Sequence, residues 1–285
     1  MKPAPFRYHA PGTVEEAVAI LADVAPDDGR VLAGGQSLVP TMAFRLARPS
    51  HLVDINRVDG LDRLAIEDNE LSIGAAVRHA AFHRPVVEGP LGLLLAAVVR
   101  HIAHLPIRTR GTFCGSLAHA DPSSEWCLVA ATLDARMTAR SASGARSLAS
   151  GEFFEAIMTT ALEPDELLAE ARLPLLPGDT RFGFEEFNRR AGDFAIAMVL
   201  ATYRVVDGVM VEPRIGVGGA EEVPRRLADA ERALDGRAPD AAAFETAAEA
   251  AAEAVDPMTD INTSAEYRRD LVRTLTRRAL ERAAA

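Results

Sequence analysis

Apolar positions in "TVEEAVAILADV" recur at Val14, Ala17, Val18 and Leu21, the spacing of one helical face, and Thr13 with Glu16 three residues on forms a capping box at its start. The short apolar run "RVLAGG" predicts a strand, "SLVPTMAFRLA" a helix capped by Ser37, and "HLVDI", rich in β-formers, a second strand. This first unit has a βαβ-like order and ends near Asp59. In "LDRLAIEDNELSIGAAV" two short strands flank a polar turn at Asp68 and Asn69, and two helices follow, the second over "PLGLLLAAVVRHIAH".

The longest polar, glycine-bearing loop is "LPIRTRGTFCGSLAHADPSSEW". After it, "CLVAATLDARM", "SLASGEFFEAI" and "ELLAEARLPL" alternate helix-like and strand-like patterns. Pro177 and Gly178 punctuate the chain and mark a domain boundary, which gives residues 1–178, in two subdomains of about 1–59 and 60–178, and residues 179–285. Beyond the boundary "RFGFEEFNRR" reads as a strand and "FAIAMVLATYRVV" as a long apolar segment. A hairpin turn at Asp207 and Gly208 joins that segment to "VMVEPRIGVGG". Alanine-rich helices follow over "PRRLADAERAL" and "AAAFETAAEAAAEAV", and an arginine-bearing helix closes the chain.

The 285 residues are 48% hydrophobic and 25% charged, enough for a large core and two or three domains. A net charge of −10 argues against a nucleic-acid surface, which needs a local excess of Lys and Arg. The basic stretch "YRRDLVRTLTRRALERA" has its arginines at helical spacing and predicts a solvated or subunit-facing helix. The start "MKPAPFRYHAPG" lacks an apolar signal region and no uninterrupted apolar run reaches about 18 residues, so a cytoplasmic location is expected. Two cysteines, Cys114 and Cys127, make neither a cluster nor a structural zinc site, so any iron–sulfur centre belongs to a partner.

In "VLAGGQSLVP", Gly34 and Gly35 lack a Cβ and let another group approach the main chain, and N–H groups at a helix start attract anions. "RGTFCGSLAHAD" is a second loop of small residues, so one ligand held between two subdomains is expected. Neither loop fits G-x-G-x-x-G or G-x-x-x-x-G-K-[ST], but a pyrophosphate can be cradled by amides in any turn that aims them inward. His79 with His83 and His101 with His104 have helical spacing but no H-E-x-x-H context, which reads as surface or core histidine rather than metal ligand. His119 and Asp121 read as loop-stabilising, and Trp126 with Cys127 as the start of a core-facing helix.

Taken together, "VLAGGQSLVPTMAFRLARPSHLVDINRV", "IRTRGTFCGSLAHADPSSEW", "RRAGDFAIAMVLATYRV" and "SAEYRRDLVRTL" resemble the FAD-binding medium subunit of the molybdenum hydroxylases, the family of xanthine dehydrogenases and aerobic carbon monoxide dehydrogenases. The resemblance implies an α+β fold: a vanillyl-alcohol-oxidase-type FAD-binding domain of two α+β subdomains, then a smaller α+β C-terminal domain. It implies that Leu32, Ala33, Gly34, Gly35, Gln36, Ser37 and Leu38 wrap the FAD pyrophosphate, and that Gly111, Thr112, Phe113, Cys114, Gly115 and Ser116 form a second FAD motif. It further implies that Ile102 packs near the flavin ring, Glu125 accepts from ribityl or ribose hydroxyls, Leu168 contacts the adenine side and Phe194 covers the isoalloxazine. The implied partners are a large molybdopterin subunit and a small [2Fe–2S] subunit, with electrons delivered through FAD to NAD, oxygen or a quinone. No residue is expected to act as catalytic acid, base or nucleophile.

Two departures from the family pattern stand out. Cys114 replaces a usual Gly and would be strained if that position took positive φ, and Glu185 and Glu186 stand where a Lys is common, leaving its contact absent or supplied by Arg189. The rival readings are a self-sufficient flavin oxidoreductase, which the hundred or so residues after the boundary fit poorly, and a scaffold subunit that has lost its flavin.

Overall fold

Thr13 caps the first helix as the capping box predicts: its side chain accepts from Glu16 N, and the Glu16 carboxylate reaches back to Gly12 N at 2.8 Å. In the computed structural model, which describes residues 2–261 and 263–285, this helix, α1 (Val14–Val24), buries Ala17, Val18, Leu21 and Val24. It links β1 (Arg7–His9) to β2 (Gly29–Leu32), and the short α2 (Leu38–Ala43) links β2 to β3 (His51–Asp54). The three strands form a parallel sheet in the order β1-β3-β2. The sequence reading lacked β1, whose pattern is largely exposed and carries no alternation to betray it.

A five-stranded antiparallel sheet follows, in the order β4-β5-β10-β6-β7. Its strands are β4 (Leu64–Glu67), β5 (Glu70–Gly74), β6 (Arg136–Ser141), β7 (Gly144–Ala149) and β10 (Leu167–Pro174). Asp68 and Asn69 both take positive φ, 50° and 63°, the twist that a two-residue hairpin requires. Between β5 and β6 lie α3 (Pro90–Val98), α4 (Leu105–Arg108), α5 (Phe113–His119) and α6 (Glu125–Thr132). The helix expected over "PLGLLLAAVVRHIAH" therefore stops at Val98, and His79–His83 is a 3-10 turn rather than an α-helix. After β7 come α7 (Ser150–Phe153) and a small hairpin of β8 (Phe154–Ala156) and β9 (Thr159–Thr160).

The last sheet is antiparallel, β11-β12-β13-β14, built from β11 (Arg181–Phe187), β12 (Ala197–Val206), β13 (Val209–Gly218) and β14 (Arg225–Arg226). Asp207 and Gly208, at φ 50° and 82°, close its central hairpin. Three helices complete the unit: α8 (Ala228–Leu234), α9 (Ala241–Ala254) and α10 (Ala265–Ala284). Arg225 and Arg226, read from sequence as the start of α8, pair instead with Val217 and Gly216 on β13. The terminal arginines are not all solvated either. Arg268 is 5% exposed and donates to the carbonyls of Ile196 and Gly219 and to Asp260, tying α10 to the loops at the sheet end.

Two apolar cores result, one spanning Ala17 to Leu200 and one spanning Ala197 to Ala283. Helix α6 is buried along its whole length, and β13 receives it through glycines: a Cβ on Gly216 would lie 1.8 Å from Thr132 Oγ1. Likewise a Cβ on Gly183 of β11 would lie 1.9 Å from the Ala279 carbonyl oxygen, so α10 rests directly on strand backbone. No described helix is long and apolar enough to cross a membrane.

Gly183→Ala is therefore expected to push α10 off β11 and to destabilise the chain by about 1–3 kcal/mol, as overpacking does. Urea unfolding checks this, and an unchanged midpoint would contradict the close approach.

Candidate functional site

The parallel strands β2 and β3 end side by side, Leu32 opposite Asp54, so the chain leaves both at one sheet edge. Open α/β edges of this kind are where ligands settle. A cavity of about 410 Å³ opens there, lined by Leu32, Ala33, Gly34, Gly35, Gln36, Val39 and Pro40 from the first loop, Asp54 and Asn56 from the end of β3, and Arg110. Gly35 takes φ 70°, and Gln36 Nε2 donates to Gly34 O at 2.9 Å, which fixes the bend. Among the described residues, none of the backbone N–H groups from Gly34 to Leu38 meets an acceptor within the chain. Five donors are thus unspent beside a cavity.

Ser37 occupies the N-cap position of α2, but its side chain makes no capping bond and its backbone is already helical. The expected cap is therefore absent, and this is what leaves the first amides of the turn free. Helix α2 also ends at Ala43, well short of the predicted span.

The second loop meets the first through main chain. A Cβ on Gly34 would fall 2.4 Å from Arg110 O and 2.6 Å from Gly111 Cα, so only glycine fits. Arg78 bonds the Arg110 carbonyl and, at 2.5 Å, Asn56 Oδ1, while Asn56 Nδ2 donates to Ala33 O at 2.8 Å. One side-chain relay thus clamps both loops. Behind it, His79 N donates to Gly111 O and Phe113 N to Val77 O, each near 3 Å. His79 is buried, and burial beside Arg78 and Arg108 pushes it down to about 4, so it stays neutral and accepts from Trp126 Nε1 at 3.0 Å. His83 instead meets Arg108 Nε at 3.2 Å.

Thr112 caps α5, its Oγ1 accepting from Gly115 N. Cys114 lies inside that helix and not at positive φ, which removes the strain expected of it. It is 2% exposed with Sγ 3.4 Å from Ile73 O, and burial pushes its thiol up; Cys127 is pushed up to about 12 by the same cause. A smaller cavity of about 90 Å³ lies behind the loops, where Ala33, Cys114 and Gly115 meet Leu167 and Leu168. Leu168 sits at a bulge between Leu168 and Glu170, where the freed Ala169 carbonyl accepts from Ala75 N at 2.9 Å.

The structure thus gathers Leu32 to Gln36, Cys114, Gly115 and Leu168 around two adjoining cavities that share Ala33. Ser37, Leu38, Gly111, Thr112 and Ser116 flank them within the same two loops. Ile102, Glu125 and Phe194 line neither. Ile102 is buried and its carbonyl accepts from Arg108 at 2.7 Å; Phe194 is 75% exposed on the loop after β11. Glu125 opens α6 and is buried, which pushes it up to about 8, with Glu186 and Asp121 adding repulsion. Asp121 holds its own loop, Oδ1 accepting from Ser123 N at 2.9 Å. Glu185 pairs with Arg282 at 2.6 Å, whereas Glu186 turns inward.

Asp54, Asn56, Arg78 and Arg110 were missed from sequence. The signal for the first two was the strand "HLVDI" itself: once β3 is paired in parallel with β2, the residues after both strands must share one edge.

Two family models match the chain: the FAD binding domain in molybdopterin dehydrogenase over residues 4–176, and the CO dehydrogenase flavoprotein C-terminal domain over residues 182–283. The nicotine 6-hydroxylase medium subunit of Paenarthrobacter nicotinovorans is 38% identical, covering 100% of this chain and 99% of that protein. Among solved structures, a carbon monoxide dehydrogenase from Hydrogenophaga pseudoflava lacking the Mo-pyranopterin moiety superposes with TM-score 0.95 at 34% identity, covering 100% of this chain and 99% of that one. Quinoline 2-oxidoreductase from Pseudomonas putida 86 superposes with TM-score 0.92 at 37% identity, covering 100% and 98%.

With both thiols buried and held protonated, neither cysteine is expected to react with a disulfide reagent at pH 8 in the native chain, and both are expected to react in denaturant. Rapid titration of even one native thiol would contradict the placement of Cys114 and Cys127.

Proposed function

This chain belongs to the FAD-binding medium subunits of the molybdenum hydroxylases, and on that footing we propose that it is the flavoprotein link between a small [2Fe–2S] subunit and an external acceptor: NAD, oxygen or a quinone. A large molybdopterin subunit carries out the substrate chemistry. The cofactor is FAD, and the chain is an oxidoreductase subunit. When bound, FAD supplies an exchange between one-electron and two-electron chemistry that no side chain offers. Everything else asked of the chain is binding and positioning.

The observation that carries this reading is the set of unspent amides from Gly34 to Leu38 beside the cavity of about 410 Å³. Consecutive free N–H groups in a turn make an anion cradle, and a pyrophosphate is an anion of matching size. Arg110 lines the same cavity and Arg78 stands behind it, two cations beside the one lining carboxylate, Asp54, in a chain of net charge −10. The residues fit the cofactor. Leu32, Ala33, Gly34, Gly35, Gln36, Ser37 and Leu38 hold the pyrophosphate, with Gly111, Thr112, Cys114, Gly115 and Ser116 as the opposing wall.

Leu168 offers an apolar contact at the floor of the smaller cavity, suited to the adenine side. Glu125 accepts from a hydroxyl of the ribityl or ribose chain, and Ile102 and Phe194 shield the ring. Exposure of Phe194 suits a residue that closes over a cofactor rather than one packed in the core. The division at residue 178 follows the same logic: the FAD site draws its two loops and Leu168 from residues before that point.

Purified chain reconstituted with FAD is expected to hold about one flavin per chain. Gly34→Ala, which forces Arg110 and Gly111 away from the first loop, is expected to weaken FAD binding by at least about tenfold, roughly 1.4 kcal/mol. Fluorescence titration with circular dichroism as the folding control checks this. An unchanged Kd in a folded variant would overturn the assignment of the first loop.

A further inference from the structure

Asp54 is the one carboxylate that lines the cavity of about 410 Å³, at the end of β3 and opposite Leu32. An anion site has no use for its charge, so its place there calls for another reason. Both of its oxygens are engaged: Oδ2 accepts from the Tyr8 hydroxyl at 2.5 Å, and Oδ1 accepts from Asn56 N at 2.9 Å and from Asn56 Nδ2 at 2.5 Å. Tyr8 stands on β1, opposite Leu52 of β3, and is 56% exposed, so the carboxylate rather than burial places its hydroxyl.

Asn56, which lines the same cavity, is held on every polar atom of its side chain. Nδ2 also donates to Ala33 O at 2.8 Å, and Oδ1 accepts at 2.5 Å from Arg78, which in turn bonds the Arg110 carbonyl. Tyr8, Asp54, Asn56 and Arg78 therefore form one hydrogen-bonded relay from β1 to both loops of the site.

Ala33 O is one of four consecutive carbonyls that find donors. Leu32 O accepts from Ile55 N at 3.0 Å, Gly34 O from Gln36 Nε2 at 2.9 Å and Gly35 O from Val39 N at 3.1 Å. A trans peptide directs the C=O of one residue and the N–H of the next to opposite sides, so each carbonyl held in this way sets the direction of the amide that follows it. The amides that follow Ala33, Gly34 and Gly35 are the first three of the unspent set beside the cavity. Gly34 O and Gly35 O are held from within the loop and its own helix, whereas Ala33 O is held by a side chain of β3's far end, Asn56. Asn56 thus fixes the first free amide from outside the loop.

We propose that Asp54 and Asn56 are positioning residues for the cofactor's pyrophosphate: Asn56 sets the plane of the peptide joining Ala33 to Gly34, and Asp54 acts by holding Asn56 and not by its charge. This rests on the reading of the chain as a flavoprotein whose first loop holds the pyrophosphate. The negative charge of Asp54 works against an anion, and the charge-assisted bond from Tyr8 lessens that opposition.

The test is the affinity of the full chain for FAD, by fluorescence titration, and for ADP, by competition, with the urea midpoint as folding control. ADP shares the pyrophosphate and adenosine of FAD and lacks the ring. Asp54→Asn keeps an acceptor for Asn56 and sheds the charge; it is expected to bind both ligands as tightly as wild type, or up to about threefold more tightly. Asp54→Ala and Asn56→Ala release the Ala33 carbonyl and are expected to weaken FAD and ADP by the same factor, about fivefold to tenfold. Tyr8→Phe bares one carboxylate oxygen and is expected to weaken both about twofold, an effect that disappears when Asp54→Asn is added. Should Asp54→Ala fail to fold, Asn56→Ala, Asp54→Asn and Tyr8→Phe carry the test. Asp54→Asn as weak as Asp54→Ala or weaker than wild type, an unchanged Asn56→Ala, or a loss confined to FAD with ADP unaffected, overturns the relay. A wild-type chain that binds no FAD overturns the flavoprotein reading instead, and one that binds FAD without competition from ADP overturns the pyrophosphate assignment.

Discussion

The whole site depends on one close approach, the main chain of Gly34 against that of Arg110 and Gly111. A single methyl group at residue 34 would sit 2.4 Å from the Arg110 carbonyl oxygen. The first loop leaves the parallel sheet after β2 and the second joins α4 to α5, in the segment between β5 and β6, so this contact is also what brings the parallel unit and the unit that follows it to one cavity. The clamp of Arg78 and Asn56 secures it with hydrogen bonds to the carbonyls of Ala33 and Arg110, so the loop carbonyls are satisfied within the chain while the amides of the first loop are not. Acceptors spent and donors kept is the polarity an anion site needs.

Sequence patterning located the elements that carry their own local signal. The capping box at Thr13, the turn at Asp68 and Asn69, the turn at Asp207 and Gly208, and β2 and β3 were all legible because each is decided within a few residues. Elements decided by distant packing were not. Strand β1 exists because β3 offers it an edge, and Arg225 and Arg226 form a strand because β13 does. The apolar run after Pro90 continues past Val98 without remaining helical, since hydrophobicity alone does not distinguish a buried turn from a buried helix.

The site was legible in its glycines and not in its charges. The glycines announce positions without room for a side chain, and the structure uses them so: Gly34 meets the main chain of Arg110 and Gly111, Gly111 and Gly115 meet the side chains of His79 and Thr112, and Gly35 takes positive φ. Cys114 looked like a flaw because its conformation was inferred from a glycine it replaces; the helix that includes it takes a side chain without strain. Arg78 and Arg110 were invisible as site residues because an arginine near a loop is ordinary until its partners are known. Arg268 shows the converse, an arginine in a basic surface-like run that turns inward to satisfy two loop carbonyls.

An acidic chain can bind an anionic cofactor because the two scales are different. Net charge of −10 sets the long-range field, which salt screens beyond roughly 8–10 Å. Anion binding is decided within hydrogen-bond distance, and what the cavity offers at that range is the unspent amides of the first loop and Arg110. Asp54, the carboxylate that lines the same cavity, has both oxygens engaged within the chain, Oδ1 by Asn56 N and Oδ2 by the Tyr8 hydroxyl. That carboxylate is thus satisfied within the chain while the amides of the first loop are not, so the cavity favours an anion although one of its lining residues is acidic.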